Sequence, residues 1–157
     1  MTRRGVPQGQ RFPKAYRLKR RSLLRPLFRR NDAVSVAAGC LRLLFRRVPR
    51  EARQPALQVA FLPGRQPDSV TRNRVRRILR EVYRRHLARL VDLLPLASTE
   101  MLTLGILFRG TPGPDLHAHV SADLPRALDR MLAALGAPGR LSDAPGASSH
   151  NPGADAA

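Results

Sequence analysis

Hydrophobic residues between Val70 and Val91 recur at the spacing of an α-helix and predict the element around which the chain is organised. At about 100° per residue, one arc carries Val75, Ile78, Leu79, Val82 and Leu90, with Tyr83 at its edge. We predict that this arc packs against a core. Asp68 or Ser69 is the expected N-cap, and the helix should end near Leu94, before a proline.

The patterns on either side of this helix predict six further elements. A helix over residues 22–30, with Ser22 as its N-cap, precedes strands over 33–37, 41–48 and 57–62, separated by turn residues as in an antiparallel meander. The continuous apolar run 101–108 is typical of a strand buried on both faces. Ser121 or Asp123 is then the expected cap of a last helix.

The resulting order, α-β-β-β-α-β-α, predicts an α+β fold: a two-layer α/β sandwich with a four-stranded sheet. One domain over residues 14–137 accounts for all of these elements. Residues 1–13 are basic and rich in Gly and Pro, and residues 138–157 consist mainly of Pro, Gly, Ala, Ser and Asp. Neither terminal segment has a core-forming pattern, so we predict that both are disordered.

The polar side of the organising helix is almost uniformly cationic. Arg72, Arg76, Arg80 and Arg84 form an i, i+4 row flanked by Asn73 and Arg77, and Glu81 is the only acid between Val70 and Val91. Like charges at this spacing repel one another and destabilise an isolated helix. A solvated helix face is the alternative interpretation, but such faces normally alternate Glu with Arg. The row therefore favours binding of a polyanion.

The composition supports that interpretation. The net charge is +18, and the first 53 residues carry 16 basic and 2 acidic residues, a balance of +14. Arginine supplies 27 of the 29 basic residues, and its planar fork suits phosphate. Nucleic acid is the expected partner, with an anionic membrane surface as the competing polyanion.

Few residues offer protein-centred chemistry. Cys40 is the only cysteine, which excludes a disulfide within the chain and a cysteine-based zinc site and fits a reducing cytoplasm. His117 and His119 lack a third metal ligand nearby and are expected in a surface loop, whereas His86 is expected to be half-buried. We predict no catalytic residue and no metal ligand in the protein. No apolar run approaches the roughly 18 residues of a membrane span.

Three charged triplets on the organising helix resemble a family signature. Arg72-Asn73-Arg74, Val75-Arg76-Arg77 and Leu79-Arg80-Glu81 resemble the motif of the bacterial ribonuclease P protein component, of which this chain would be a divergent member. The segment Tyr16-Arg17-Leu18-Lys19-Arg20 is similar to the family's N-terminal Arg-Leu-Lys-Lys. The resemblance implies a crossover basic helix that connects two parallel strands of the sheet. The family fold is similar to a domain of a small-subunit ribosomal protein (S5 domain 2-like) and of a translational elongation factor.

The resemblance implies a cytoplasmic protein subunit of ribonuclease P, which removes 5′ leaders from precursor tRNA by endonucleolytic hydrolysis. It implies two partners, the catalytic RNA and precursor tRNA, with no membrane and no obligate protein partner. Chemistry and Mg²⁺ would belong mainly to the RNA, with no cofactor bound by the protein alone. Expected contacts to the catalytic RNA are Arg72, Asn73, Arg74, Arg76, Arg77, Arg80 and Arg84. Expected contacts to the leader are Tyr16, Phe28, Arg46 and Arg65.

Three alternatives stay open at this level. Phe28 is as well explained by core packing as by stacking on a leader base. The chain as a whole is also consistent with a non-catalytic, ribosome-associated protein that binds structured RNA with the same fold. A membrane-surface protein is the third possibility, and it would require the apolar arc of the basic helix to face solvent when lipid is absent.

Overall fold

The computed structural model describes residues 12–143, which form an α+β domain around one mixed sheet. The strands are β1 (Val34–Ala38), β2 (Leu41–Pro49), β3 (Leu57–Leu62) and β4 (Glu100–Phe108), and their order in the sheet is β1-β2-β4-β3. The helices are α1 (Arg21–Leu24), α2 (Ser69–Arg84), α3 (Leu87–Leu93) and α4 (Leu116–Ala134). The predicted fold class is confirmed.

Strand β4 occupies an interior position in the sheet because both of its faces are apolar. Every residue from Met101 to Ile106 is buried, including Thr103, whose hydroxyl donates a hydrogen bond to the Arg46 carbonyl over 3.2 Å. β4 pairs antiparallel with β2 and parallel with β3. The predicted burial on both sides is therefore confirmed.

One face of the sheet and the helices α2, α3 and α4 enclose the main core. The sheet contributes alternate residues of its strands. Leu104 of β4, for example, lies beside Phe45 of β2 on one side and beside Val59 of β3 on the other. Leu79, Leu87 and Leu128 come from the three helices. Burial of such side chains stabilises the domain by about 1.5–3 kcal/mol each before the loss of conformational entropy.

The opposite face of the sheet is covered only in part. α1 is followed at once by a 3₁₀ turn, Arg25–Phe28, and Leu27 of this turn packs over Gly105 of β4. The predicted helix over 22–30 with a Ser22 cap is wrong in its bounds, since α1 begins at Arg21 and has no side-chain cap. Pro26 explains the change to a 3₁₀ turn, because it lacks the N–H that an α-helix would need there.

The predicted antiparallel meander is correct only for β1 and β2. β3 does not pair with β2 but lies on the far side of β4, in parallel pairing, with α2 in the connection between β3 and β4. Turn residues between β2 and β3 were compatible with a hairpin, but they do not determine which strands become neighbours. The more apolar β4 takes the buried position instead.

The helix boundaries differ from the prediction at two further places. The organising helix does not run unbroken to Leu94, because a turn at Arg85 and His86 separates α2 from α3. α4 begins at Leu116 rather than at Ser121 or Asp123, and Leu116 and Val120 add a turn to its buried stripe.

Contacts of the domain extend on both sides of the predicted bounds 14–137. Phe12 is buried in the core, and Leu141 packs against it while its N–H donates to Asp129 Oδ1 over 2.6 Å. The remaining parts of the terminal segments predicted to be disordered, residues 1–11 and 144–157, lie outside the described residues.

Candidate nucleic-acid interface

Helix α2 begins at a well-defined cap that fixes the direction of its cationic face. Asp68 is the N-cap, and its carboxylate accepts a hydrogen bond from the Thr71 backbone over 2.7 Å. Hydrogen bonds from the backbone and the side chain of Thr71 lower the pKa of Asp68. Gln66 ties the preceding loop to the end of β4 by donating to the Gly110 carbonyl over 3.1 Å. One of the two caps expected from the sequence is thus confirmed.

The apolar arc of α2 is fully committed to the core. Its buried residues are Val75, Ile78, Leu79, Val82 and Tyr83. Tyr83, expected at the edge of the arc, has no exposed surface and packs against the rings of Phe12 and Phe61 at centroid distances of 5.8 and 5.5 Å. The membrane-surface hypothesis needs this arc to be free, and it is not. Among the described helices, none has the length and apolarity to cross a membrane.

The arginine row lies on the outer side of α2, as the helical periodicity predicts. Its members are exposed or half-buried: Arg72, Asn73, Arg76, Arg77, Arg80 and Arg84. Two contacts within the face are long, from Arg72 to the Gln66 carbonyl at 3.5 Å and from Arg76 to Asn73 Oδ1 at 3.4 Å. Neither contact supplies a negative charge, so the face keeps its net positive charge.

Glu81 does not neutralise this row. Its carboxylate lies 3.9 Å from Arg85 and 3.8 Å from His117 of α4, on the side of α2 that faces α4. Arg74 also lies on that side, and it donates to the Gly113 carbonyl over 2.9 Å. The structure therefore separates Arg74 from the other predicted contacts to catalytic RNA.

Arg80 is half-buried, and its contact with an aromatic ring distinguishes it from Arg72 and Arg76. Its guanidinium carbon lies 5.9 Å from the centre of the Phe61 ring. Burial, followed by repulsion from Arg17 and Arg76, lowers the pKa of Arg80. Arg17 was assigned no separate role from the sequence. Its place in the segment that resembles the family's N-terminal motif was the one signal that could have indicated it.

A second basic surface lies on the opposite face of the sheet. Phe28 is 57% exposed, so it is not a core residue, and it borders a groove of about 320 Å³. Arg29, Arg30 and Arg42 also line the groove. This combination of an aromatic ring with several cations is typical of single-strand binding. These three arginines were not among the leader contacts expected from the sequence. Arg29 and Arg30 follow Phe28 directly and Arg42 lies on β2, and these positions could have suggested them.

The other predicted leader contacts do not line this groove. Arg46 lies on β2 four residues beyond Arg42 and therefore on the same face of the sheet. Arg65 is exposed in the loop after β3. Tyr16 is half-buried against the core and borders a separate cavity of about 690 Å³, together with Arg50 and other residues. The four residues thus do not form a single cluster.

The cysteine and the histidines lie away from both basic surfaces. The Cys40 N–H donates to Asp123 Oδ2 over 3.0 Å, and burial together with Asp123 raises the pKa of the Cys40 thiol to about 12. His117 and His119 belong to α4, not to a loop as predicted. His86 is half-buried as expected, and burial lowers its pKa. Within residues 12–143 no three His, Cys, Asp or Glu side chains come close enough to hold a metal ion.

The fold and the charge distribution define a small, basic α+β domain with two cationic surfaces, the class of protein that binds nucleic acids. A protein-family model described as Ribonuclease P matches residues 12–104, which is more than half of the chain. The chain therefore belongs to the ribonuclease P protein family, and the resemblance drawn from the triplets of α2 is confirmed. Neither the curated proteins nor the solved structures gave a match.

Membership of this family makes the chain a protein component of ribonuclease P with a role in tRNA processing. It takes part in an endoribonuclease complex whose partners are ribonuclease P RNA and precursor tRNA. The matched residues include the whole of α2 and the groove residue Phe28 but not α4.

Proposed function

We propose that the outer face of α2 binds the catalytic RNA and that the groove beside Phe28 receives the 5′ leader of precursor tRNA. The observation that carries this proposal is the arginine row of α2, in which Arg72, Arg76 and Arg80 form no salt bridge with any of the described residues. Neutralising phosphates would release counterions, with a log–log salt slope of about −0.7 per contact for single strands. The protein would thereby let two polyanions approach one another.

The chemistry is assigned to the RNA in this proposal. The described residues lack a cluster of three potential metal ligands, so the protein's own donor set does not fit a magnesium site. Mg²⁺ would be held mainly by the RNA and would supply the activation of water there. The protein's contribution is to position the substrate and to reduce electrostatic repulsion.

The groove gives the leader contact a physical basis. A base can stack on the exposed ring of Phe28, while Arg29, Arg30 and Arg42 lie close enough to meet the adjoining phosphates. Stacking contributes about 1–3 kcal/mol per base and tolerates any base. Arg46 would extend the contact along the same face of the sheet, and the structure offers less support for Tyr16.

Cleavage of precursor tRNA tests the proposal. A bacterial ribonuclease P RNA is assayed at a few millimolar Mg²⁺ without protein, with this protein, and with a variant in which Arg72, Arg76 and Arg80 are changed to Ala. A charge-matched control changes Arg126, Arg130 and Arg140, which lie on α4 and in the turn after it. We expect stimulation by the wild type and the control, and loss of stimulation in the α2 variant.

The same assay separates the alternative function. A ribosome-associated binder of structured RNA would bind RNA tightly and in a salt-sensitive way, yet would leave precursor cleavage unchanged. That result would restrict the family relationship to the fold. Equal loss of stimulation in the α2 variant and the control would show that total charge, not the arginine row, is responsible.

A further inference from the structure

The segment before α1 brings one more arginine to the outer face of α2. Arg17 forms a parallel bridge with Val59 of β3, and the next residue, Leu18, donates its N–H to the Val59 carbonyl over 2.8 Å. The side chain of Arg17 also donates to the Phe12 carbonyl over 2.8 Å. The backbone pairing therefore fixes the position of Arg17 along β3, while the side-chain hydrogen bond uses only one of its guanidinium nitrogens, Nη2.

Arg17 and Arg80 lie beside the same pair of aromatic rings. Arg17 donates to the carbonyl of Phe12, the Phe12 ring lies 5.5 Å from the Phe61 ring, and the guanidinium carbon of Arg80 lies 5.9 Å from the Phe61 centroid. The repulsion from Arg17 is, after burial, the largest influence that lowers the pKa of Arg80. No carboxylate within residues 12–143 forms a salt bridge with either guanidinium. The ring of Phe61 beside Arg80 offers a favourable contact with the cation but no hydrogen-bond acceptor.

Each of the two side chains also has one N–H donor without a hydrogen-bond acceptor among the described residues. The Nε atoms of Arg17 and Arg80 are shielded from solvent and have no hydrogen-bond partner in the part of the chain that the structure describes. A buried donor on a charged group without a partner is unfavourable. Two such donors on adjacent cations point to a missing anion, because one oxyanion can accept from both forks and remove the repulsion.

We propose that Arg17 and Arg80 together form a seat for one phosphate-type anion, which in the working complex is a backbone phosphate of RNA. This seat adds Arg17 to the RNA-binding residues of α2. Because RNA supplies the phosphate, this part of the inference rests on the proposed function. Both side chains are half-buried and long, so side-chain rotation alone can turn their donors toward an anion.

An occupied seat would also connect two parts of the fold. Arg17 belongs to the segment along the outer edge of β3, and Arg80 belongs to α2. An anion bound by both would hold this segment against the helix. It would stabilise the folded chain by RT ln(1 + c/Kd), where c is the free phosphate concentration, because the unfolded chain does not bring the two arginines together.

Inorganic phosphate is the probe for the seat, used with the full-length protein and without RNA. Urea unfolding is measured at rising phosphate concentration, with NaCl adjusted to keep the ionic strength constant. The variants are Arg17→Gln, Arg80→Gln, the double variant and Arg17→Lys, and the control of equal charge loss is Arg140→Gln. Arg17→Lys keeps the charge but has no Nε–H.

We expect each single Gln variant to weaken phosphate binding by about tenfold, with little further loss in the double variant, because either change dismantles the shared seat. Arg17→Lys should lose most of the same affinity, and Arg140→Gln should bind phosphate like the wild type. Equal phosphate affinity in Arg17→Gln and Arg140→Gln would refute the seat, as would independent, additive losses in the double variant.

A second arm identifies the source of the phosphate. The salt dependence of binding to ribonuclease P RNA should lose about 0.7–0.9 from its log–log slope in Arg17→Gln, the value of one phosphate contact. An unchanged slope alongside a lost phosphate response would assign the seat to free phosphate and overturn its role in RNA binding. Absent stimulation of cleavage by the wild type, with the phosphate results as expected, would refute the proposed function while leaving the seat established.

Discussion

Replacing Tyr83 by Phe should make this protein more stable, although the change removes a polar group from a native structure. Tyr83 has no exposed surface, and its hydroxyl finds no hydrogen-bond partner within residues 12–143. The unfolded chain can hydrate this hydroxyl, whereas the folded chain cannot satisfy it. The substitution keeps the ring between Phe12 and Phe61 and removes only the unsatisfied group.

The expected gain follows from two opposing effects. An unsatisfied buried polar group costs about 1–3 kcal/mol. Removing one oxygen leaves a void of about 10–15 Å³, which at about 24 cal/mol per Å³ costs roughly 0.3 kcal/mol. The net stabilisation should be about 1–2 kcal/mol. At about 2–4 °C per kcal/mol for a domain of this size, Tm should rise by roughly 2–8 °C.

Urea unfolding followed by far-ultraviolet circular dichroism measures this change, since the chain contains no tryptophan. Tyr16→Phe is the matched control, because Tyr16 is half-buried and its hydroxyl is not among the buried unpartnered atoms. Its stability should change by less than about 0.5 kcal/mol. A loss of more than about 1 kcal/mol in Tyr83→Phe would show that the hydroxyl makes a favourable hydrogen bond, and the reasoning would fail.

The same residue predicts a dependence of stability on pH. Burial, followed by the influence of Tyr16, raises the pKa of Tyr83 above its ordinary value. Above about pH 10 the unfolded chain releases this proton while the folded chain retains it, so stability falls as pH rises. Tyr83→Phe should reduce this fall, and phenolate absorbance of the native protein should show Tyr83 ionising only on unfolding. Ionisation of both tyrosines near pH 10 without unfolding would contradict the burial.

Three further predictions concern a groove residue, a turn and the thiol. Phe28→Ala should weaken binding of a precursor with a leader by about 5- to 150-fold, the value of one stacked base, and leave mature tRNA binding unchanged; equal effects on both ligands would argue against a leader contact. Gly39→Ala should destabilise the protein by more than about 1 kcal/mol in urea unfolding, because Gly39 has a φ of 55° and a Cβ there would overlap the Asp123 carboxylate; unchanged stability would show that the turn relaxes freely. Cys40, with its pKa raised to about 12, should react with a thiol reagent at pH 8 much more slowly than the same thiol in urea, and rapid native reaction would refute that environment.

Helix α2 could be predicted from the sequence because its information is local. The spacing of Val75, Leu79 and Val82 sets the buried side, and the carboxylate of Asp68 sets the beginning. The same spacing places Arg76 and Arg80 outside the main apolar arc. The apolar run from Met101 to Phe108 was equally informative, because such a run is typical of a strand covered on both faces, and the residues from Met101 to Ile106 are all buried.

The order of the strands and the composition of the two surfaces depend on contacts between distant residues. The turn residues around β3 do not show whether it pairs with β2 or with β4. The crossover helix implied by the family resemblance was the signal for the parallel pairing of β3 with β4, and that pairing is observed. Arg17 meets Arg80 only because the segment before α1 lies along β3. The position of Tyr16 depends on the same segment, since this predicted leader contact is half-buried against the core.

The amphipathic character of α2 explains how a small domain can carry an unbalanced charge and remain folded. Repulsion along the arginine row opposes the helix by a few tenths of a kcal/mol per pair. The buried side opposes that effect with Leu79, Val82 and Tyr83, each of which contributes several times as much. The core therefore holds the arginines together at a fixed spacing in the absence of RNA. A polyanion that binds this face then relieves the repulsion without reorganising the helix, so less of its binding free energy is lost to ordering the protein.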